Sequence, residues 1–461
     1  MNNIFLSKSS YCKCVQCNKI LWLKNYKPEE AIQKASDTLF ENGRKVGILA
    51  QDIFGEKHED IEYSKNYTAM VEKTRKLLEN KPNIITEATF NYDNNFCMVD
   101  ILKNDEDGVE IYEVKSSTKV SDIYLDDASF QYFVLSNLGL NVKKVSIVYI
   151  NNKYVRGKEL ELDKLFNVKD ITDIARKKQD EIRNKVDEIN SFMARHDKDN
   201  QPDTPMGNQC LNPYKCDFWE YCNKMENNTL STDDDEPDFS PIINKEAIKQ
   251  ILDSLKYPLY FIDYETYTTP IPEIEGTRPY QQLPFQYSLH IKKDREAPIE
   301  HKEFLAECDD NNFIRHFAES LVKNLPEDGS VIVYNKSFES ARNKELGEMY
   351  PDLKEEMERI NNNIVDFMVP FQKRQYCTKQ MKGSYSLKNV LPALYPDDPE
   401  LDYTKLSGVH DGEEARKAFT ELKEESQEKQ EKTREDLLKY CHLDSLAMVK
   451  IYEKFRETIE E

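Results

Sequence analysis

The stretch Tyr260-Phe261-Ile262-Asp263-Tyr264-Glu265-Thr266 decides how the second half of this chain is read. Its aromatic and β-branched residues specify a short buried strand. Residues two apart on a strand share a face, so Asp263 and Glu265 project side by side while Ile262 and Tyr264 point the other way. Adjacent carboxylates on an apolar strand repel each other and resist burial unless a cation lies between them. The pair therefore fits either a solvated acidic face or a divalent-metal site. Hard oxygen donors with no imidazole nearby favour Mg2+ or Mn2+.

At 461 residues the chain is too long for one ordinary core, and two domains are expected. A composition 39% hydrophobic and 32% charged fits a globular protein with a wet surface. No apolar run reaches the ~18 residues that span a bilayer. The opening Met1-Asn2-Asn3-Ile4-Phe5-Leu6-Ser7-Lys8 has no signal-peptide core. A cytoplasmic protein with no membrane partner is the expectation. The net charge of −21 argues against loose coating of DNA but leaves room for a local basic groove. Protein partners and oligomeric state leave no signature. Ten cysteines in a reducing compartment are not expected to form disulfides. Cys97, Cys308, Cys377 and Cys441 are scattered and read as small buried residues.

The pattern divides the chain into an α/β unit over 1–225, an Asp-, Ser- and Pro-rich linker over 226–242, and a second α/β unit over 243–461. In the first unit, helices are expected over 28–39, 67–78, 124–138 and 171–195, and strands over 83–92, 96–102, 109–114 and 144–150, with a hairpin at Asn104-Asp105-Glu106-Asp107-Gly108. The second unit alternates strands (260–264, 285–291, 330–334) with helices (313–324, 338–349, 433–458). The charged run 421–432 reads as an exposed helix or a loop.

Asp263 and Glu265 have candidate partners farther along. Tyr440 and Asp444 lie four apart in Leu437-Leu438-Lys439-Tyr440-Cys441-His442-Leu443-Asp444 and share a helix face. In Val331-Ile332-Val333-Tyr334-Asn335-Lys336-Ser337-Phe338-Glu339, a strand breaks into a helix with Glu339 in the first turn, where the helix dipole favours a carboxylate. This set resembles the DEDD exonuclease superfamily, which has an RNase H-like fold. The resemblance implies that Asp263, Glu265, Glu339 and Asp444 hold two Mg2+ or Mn2+ ions for 3′-to-5′ exonuclease chemistry, with Tyr440 orienting the attacking water. It departs from the family at Glu339, where an Asp is usual, and His442 is out of register for the His version of the motif. Asp366, in Ile364-Val365-Asp366-Phe367, is an alternative ligand whose position between apolar residues points to a structural role. The phrases from Gly276 to Gln286, from Gly383 to Lys388 and from Val390 to Leu394 look like an uncharacterised bacterial and archaeal domain family that occurs behind RecB-like nuclease modules. Arg278, Tyr280, Gln282 and Lys388 read either as contacts to phosphate and stacked bases or as turn and packing residues.

In the first unit Asp100 closes the strand Phe96-Cys97-Met98-Val99-Asp100, and Ile111-Tyr112-Glu113-Val114-Lys115 puts Glu113 and Lys115 on one face. An Asp and a Glu can hold a metal while a Lys stabilises phosphate, although a lone Glu-x-Lys on a strand is usually just a salt-bridging face. With Gln131 on the helix that follows, the arrangement resembles restriction-endonuclease-like PD-(D/E)XK nucleases of the RecB-like branch, including the CRISPR-associated adaptation nucleases. That resemblance implies metal ligation by Asp100 and Glu113, with Lys115 and Gln131 in catalytic roles. Leu135 stands where the family has Tyr. Glu87 is a further candidate ligand and Glu72 a weaker one. Cys210, Cys216 and Cys222 are evenly spaced in a polar stretch. Several RecB-like nucleases hold a four-iron four-sulfur cluster with one N-terminal and three C-terminal cysteines, and Cys17 fits the N-terminal place, with Cys12 and Cys14 as substitutes. Zinc is the alternative occupant of the thiols. The two resemblances together imply a metal-dependent nuclease acting on DNA first and RNA second, in repair, CRISPR-related processing or phage defence. The alternative is a nucleic-acid-binding adaptor in which one or both sites are inactive.

Overall fold

The computed structural model describes residues 5–32, 37–229, 240–307 and 309–460. Cys308 and most of the expected linker lie outside them. The chain is mixed α/β, and its contacts group it into two units: Met1–Asp233 with Thr269–Tyr280, and Asp234–Thr268 with Gln281–Glu461. A boundary drawn along the chain cannot express that Thr269–Tyr280 belongs with the first unit. Among the described residues no helix is long and apolar enough to cross a membrane.

The first unit is built on β1 (Leu6–Ser7), β2 (Glu59–Asp60), β3 (Ile84–Tyr92), β4 (Asn95–Asp105), β5 (Gly108–Lys115), β6 (Val142–Ile150) and β7 (Phe166–Asp170). They form one seven-stranded sheet in the order β2-β3-β4-β5-β6-β7, with β1 pairing on β4. The β4–β5 hairpin turns at Glu106-Asp107, with Asp105 paired to Gly108. A side chain at Gly108 would meet Asn141 O at 2.2 Å and the backbone there has φ +143, so the turn requires glycine. Helix Asp122–Asn137 covers the sheet through fully buried Phe130, Val134 and Leu135. The nine-residue helix Lys8–Gln16 stacks Tyr11 on Phe130 at 4.6 Å.

Two helices differ from their expected extents. Over 28–39 the structure has a 3-10 turn, Pro28–Glu30, and a separate helix, Asp37–Ala50. The Ile32 N–H donates to Asp217 O, which takes it out of any helical ladder. The stretch 171–195 is two helices, Thr172–Lys177 and Gln179–Arg195. At the break the side-chain amide of Gln179 donates to Ala175 O.

The second unit contains β8 (Ile242–Ile243), β9 (Leu259–Tyr267), β10 (Leu283–Lys292), β11 (Glu300–Leu305), β12 (Ser330–Val333), β13 (Ile364–Asp366) and β14 (Tyr376–Cys377). Its five-stranded sheet runs β11-β10-β9-β12-β13, and β14 and β8 make a separate ribbon. β9 to β11 are antiparallel neighbours, whereas β12 is parallel to both β9 and β13. β9 is central and buried on both faces, which explains its nearly continuous apolar sequence. Leu259 and Phe261 pack with Met448, Tyr452 and Phe455 of the C-terminal helix Gln427–Glu460. On the opposite face Tyr264 meets Phe317 of helix Phe313–Asn324 edge to face. β11 escapes sequence reading because it is a mostly exposed edge strand with no apolar alternation. The run 421–432 resolves into a 3-10 turn, Leu422–Glu424, and the opening of the C-terminal helix.

Asp366 has the structural role its apolar neighbours suggest. Its carboxylate accepts the N–H groups of Asn335 (3.1 Å), Lys336 (2.9 Å) and Met368 (2.9 Å). It thereby holds the start of helix Lys336–Met349, where Asn335 sits at φ 97. Asp366→Ala is expected to destabilise the second unit by about 2 kcal/mol, the upper end for a lost N-terminal cap. A urea titration checks this, and an unmoved midpoint would show that the three amides find other partners.

Candidate functional site

The strand period and the C-terminal helix together assemble an acidic centre in the second unit. Asp263 and Glu265 come from the face of β9 that carries Phe261, and Asp444 from the helix packed on that face. One carboxylate oxygen from each lies within 4.8 Å of the other two. Glu339, 2% exposed in the first turn of its helix, stands outside this group but raises the pKa of both Asp263 and Glu265. Its Oε2 is buried with no hydrogen-bond partner. An orphaned carboxylate oxygen beside three crowded carboxylates is a donor set that fits a hard divalent cation.

Electrostatics gives the same result. Burial, then Asp444, pushes the Glu265 carboxyl up to about 8. Burial alone is the main cause that lifts Glu339 to about 8. Asp263 is raised well above the carboxylate range by burial and by Asp444, Glu265 and Glu339. Asp444 rises only to about 6, because Tyr403, Lys388 and Tyr440 favour its charged form against burial. The Tyr403 hydroxyl donates to Asp444 Oδ1 at 2.6 Å. The Lys388 ammonium lies 5.3 Å from the Tyr440 ring centre and 5.8 Å from that of Tyr403, and donates to His410 O at 2.8 Å. Burial and the nearby acids raise the Tyr440 phenol, so it stays protonated. Lys388 was legible as a charged residue in a recognisable phrase. Tyr403 carried no sequence signal.

A second acidic group lies in the first unit. Glu113 is 1% exposed and accepts from Lys115 Nζ at 2.7 Å and from the Gln131 side-chain amide at 2.6 Å. Asp100 accepts the Val114 N–H at 2.7 Å. Glu87, in a left-handed conformation at φ 55, is raised to about 7 by burial and by Asp100. The expected residues thus gather, and two more join them. Asp127, one turn before Gln131, accepts from Lys115 at 2.5 Å. Lys8 brings its ammonium to 2.7 Å and 2.9 Å from the two Glu113 oxygens, 3.7 Å from Asp127 and 3.9 Å from Asp100. Burial opposes the charge on Lys8, but Asp127, Glu113 and Asp100 outweigh it and hold its pKa well above the ordinary value. Asp127 was open to discovery by its spacing from Gln131, whereas nothing marked Lys8. Glu72 is solvent-facing and paired with Arg75.

At the other end of helix Lys8–Gln16, Cys17 lines one small cavity with Cys210, Cys216 and Cys222. Met206, Ile20, Leu23 and Trp219 complete much of the wall. The Gln16 side-chain amide donates to Gln209 O at 2.7 Å and Tyr214 O at 2.8 Å, which joins the start of the unit to its cysteine loop. Cys12 and Cys14 are buried in the hydrophobic core and do not line the cavity. Burial raises the thiols of Cys17 and Cys222, and that of Cys216 to about 11.

The expected nucleic-acid contacts are divided between the two units. Tyr280 belongs to the first unit, where its hydroxyl is bonded to Ser116. Arg278 is exposed in the same segment. Gln282 belongs to the second unit and accepts from Arg342 at 3.0 Å and Thr266 at 3.3 Å. Lys388 is the one of the four that flanks the acidic centre.

Residues 260–386 match a family described as a domain of unknown function (DUF2779). That span holds Asp263, Glu265 and Glu339 and ends before Tyr440 and Asp444. The chain is 28% identical over 219 residues to the uncharacterized protein MG366 of Mycoplasma genitalium, covering 44% of this chain and 32% of that protein. It is 27% identical over 167 residues to the uncharacterized protein UU173 of Ureaplasma parvum, covering 34% of this chain and 24% of that protein. The chain therefore spans a third or less of the length of these curated relatives.

Proposed function

We propose that the second unit is a divalent-metal-dependent nuclease of exonuclease type that hydrolyses phosphodiester bonds, DNA before RNA. The convergence of Asp263, Glu265 and Asp444 within 4.8 Å carries the proposal. The orphaned Glu339 oxygen and the strand order β11-β10-β9-β12-β13, with the Asp-x-Glu strand at its centre, support an RNase H-like DEDD arrangement. Asp263, Glu265, Asp444 and Glu339 would hold Mg2+ or Mn2+, which when bound supplies water activation and neutralises charge on the phosphate. The Tyr403 hydroxyl favours the ionised form of Asp444 against burial and fixes its orientation. Tyr440, protonated throughout the neutral range, donates a hydrogen bond that orients water and does not act as a base. Lys388 adds a positive charge at the rim, suited to a phosphate of the bound strand.

In the first unit one observation favours binding over cutting. The Lys8 ammonium lies among Glu113, Asp127 and Asp100, and so supplies the positive charge that a metal would otherwise supply. This supports a RecB-like module that grips nucleic acid while its cutting centre is closed. The four cysteines fit an iron–sulfur cluster better than zinc. A tetrahedral zinc at ~2.3 Å from each sulfur needs sulfurs about 3.8 Å apart. Among the described residues, the thiols are not one of the groups whose ligand atoms lie within 4.8 Å of one another.

Asp263→Asn is expected to lower Mn2+-dependent degradation of labelled single-stranded DNA at least ~100-fold, since even residues that merely support metal ligands cost 10–100-fold. Undiminished cleavage would remove the second unit as the active centre. Lys8→Ala should add a tightly bound Mn2+ per chain, counted by electron paramagnetic resonance, and an unchanged count would show that the ammonium does not occlude a metal site.

The raised carboxyls also predict a pH dependence. Glu265 near 8 and Asp444 near 6 hold protons in the folded protein that the unfolded chain has released. The folded state then binds more protons, so metal-free stability falls as pH rises from about 4 to about 8. Mn2+ must displace those protons and binds more tightly as pH rises. The rise in Tm caused by Mn2+ should therefore be larger at pH 8 than at pH 6, and equal shifts would contradict the assignment.

A further inference from the structure

His442 lies two residues before Asp444 on the C-terminal helix. In the folded chain, three of its seven histidines meet on another side of the same C-terminal helix. His290 on β10 and His301 on β11 are direct cross-strand partners. His442 reaches them from the helix, and the three ring centres lie 4.4 Å, 4.6 Å and 4.8 Å apart. One nitrogen from each ring lies within 4.8 Å of the other two. His442 Nδ1 and His301 Nε2 are 3.2 Å apart.

Packing alone accounts poorly for this arrangement. His290 is 3% exposed, and burying an imidazole costs free energy that an aliphatic side chain would not. Among the described residues the near carboxylate is that of Glu303, whose Oε2 lies 4.0 Å from His301 Nε2. A neutral imidazole is the form that ligates metals. Two imidazole nitrogens on one tetrahedral zinc, each at 2.0–2.1 Å, lie about 3.3 Å apart, close to the His442–His301 separation.

The surroundings have the features of an outer ligand shell. Ser445 Oγ lies 2.9 Å from His290 Nδ1, which leaves Nε2 for a metal. Ser445 Oγ is also 2.7 Å from Ser288 Oγ; Ser288 Oγ lies 2.9 Å from His301 Nε2, the nitrogen that faces His442, and a metal on that nitrogen would replace this contact. Glu303 follows His301 by two residues on β11 and so shares its face. It also acts electrostatically on His442. His301 is exposed and gives an ion a route in.

We propose that His290, His301 and His442 form a transition-metal site, with Glu303 as the fourth ligand and zinc as the ion. Nitrogen-rich tetrahedral donors select zinc, whereas the all-oxygen centre selects Mg2+ or Mn2+. The bound ion ties β10 and the edge strand β11 to the C-terminal helix. Ser445 and His442 flank Asp444 on that helix, so the ion also fixes the segment that presents Asp444.

The full-length protein, freed of loosely held metal, is titrated with Co2+ and then Zn2+. The expected result is the visible absorption of four-coordinate cobalt, displaced by zinc. Thiolate charge-transfer bands, which would report the cysteines, should be absent from the wild-type minus His301→Ala difference spectrum. His301→Ala and His442→Asn should each weaken binding at least about tenfold. Asp263→Asn should retain the signal, which separates this site from the nuclease centre and lets either proposal fail alone. Cobalt titrations identical in wild type and His301→Ala, or a loss with Asp263→Asn, would overturn the assignment. His301 is solvent-facing, so its replacement leaves the core intact, and circular dichroism confirms folding.

Discussion

Repulsion among buried carboxylates is the constraint on which the second unit depends. Two unit charges 4.8 Å apart interact with about 3.5 kcal/mol at an effective dielectric constant of 20. Three such pairs among Asp263, Glu265 and Asp444 amount to about 10 kcal/mol, comparable with the whole net stability of a domain. A fold that keeps these groups on a central strand and a packed helix must neutralise them with protons or cations. Their raised pKa values are the protonated solution, and the crowded oxygens with the unpartnered Glu339 Oε2 suit the cationic one. Phe261, on the same strand, packs against Tyr452 and Phe367.

The first unit meets the same problem with a different answer. Two ammonium groups, those of Lys8 and Lys115, lie among the carboxylates of Glu113, Asp127 and Asp100. An internal lysine is always present, while a metal must be captured from solution. Two of the three negative charges of the first cluster are thus matched within the fold.

Local periodicity made the frame readable. Asp263 with Glu265, Glu113 with Lys115, and Tyr440 with Asp444 follow from strand and helix periods acting over a few residues. The β4–β5 hairpin was legible for the same reason, because Gly108 is required by the turn itself. What was not legible came from distance along the chain. Lys8 reaches Glu113 across 105 residues and Tyr403 reaches Asp444 across 41. The histidines come from two strands and a helix, and one of the strands, β11, is too polar to announce itself. Where spacing alone was used, as for the helix expected over 171–195, the structure has two helices that meet at Lys178.

Helix Lys8–Gln16 has Lys8 as its first residue, among the carboxylates, and Cys17 immediately after its last, on the thiol cavity. Nine helical residues form a stiff rod about 13 Å long. One short helix thus spans the distance between the thiol cavity and the acidic cluster of the first unit, so a single run of ten residues supplies a side chain to each.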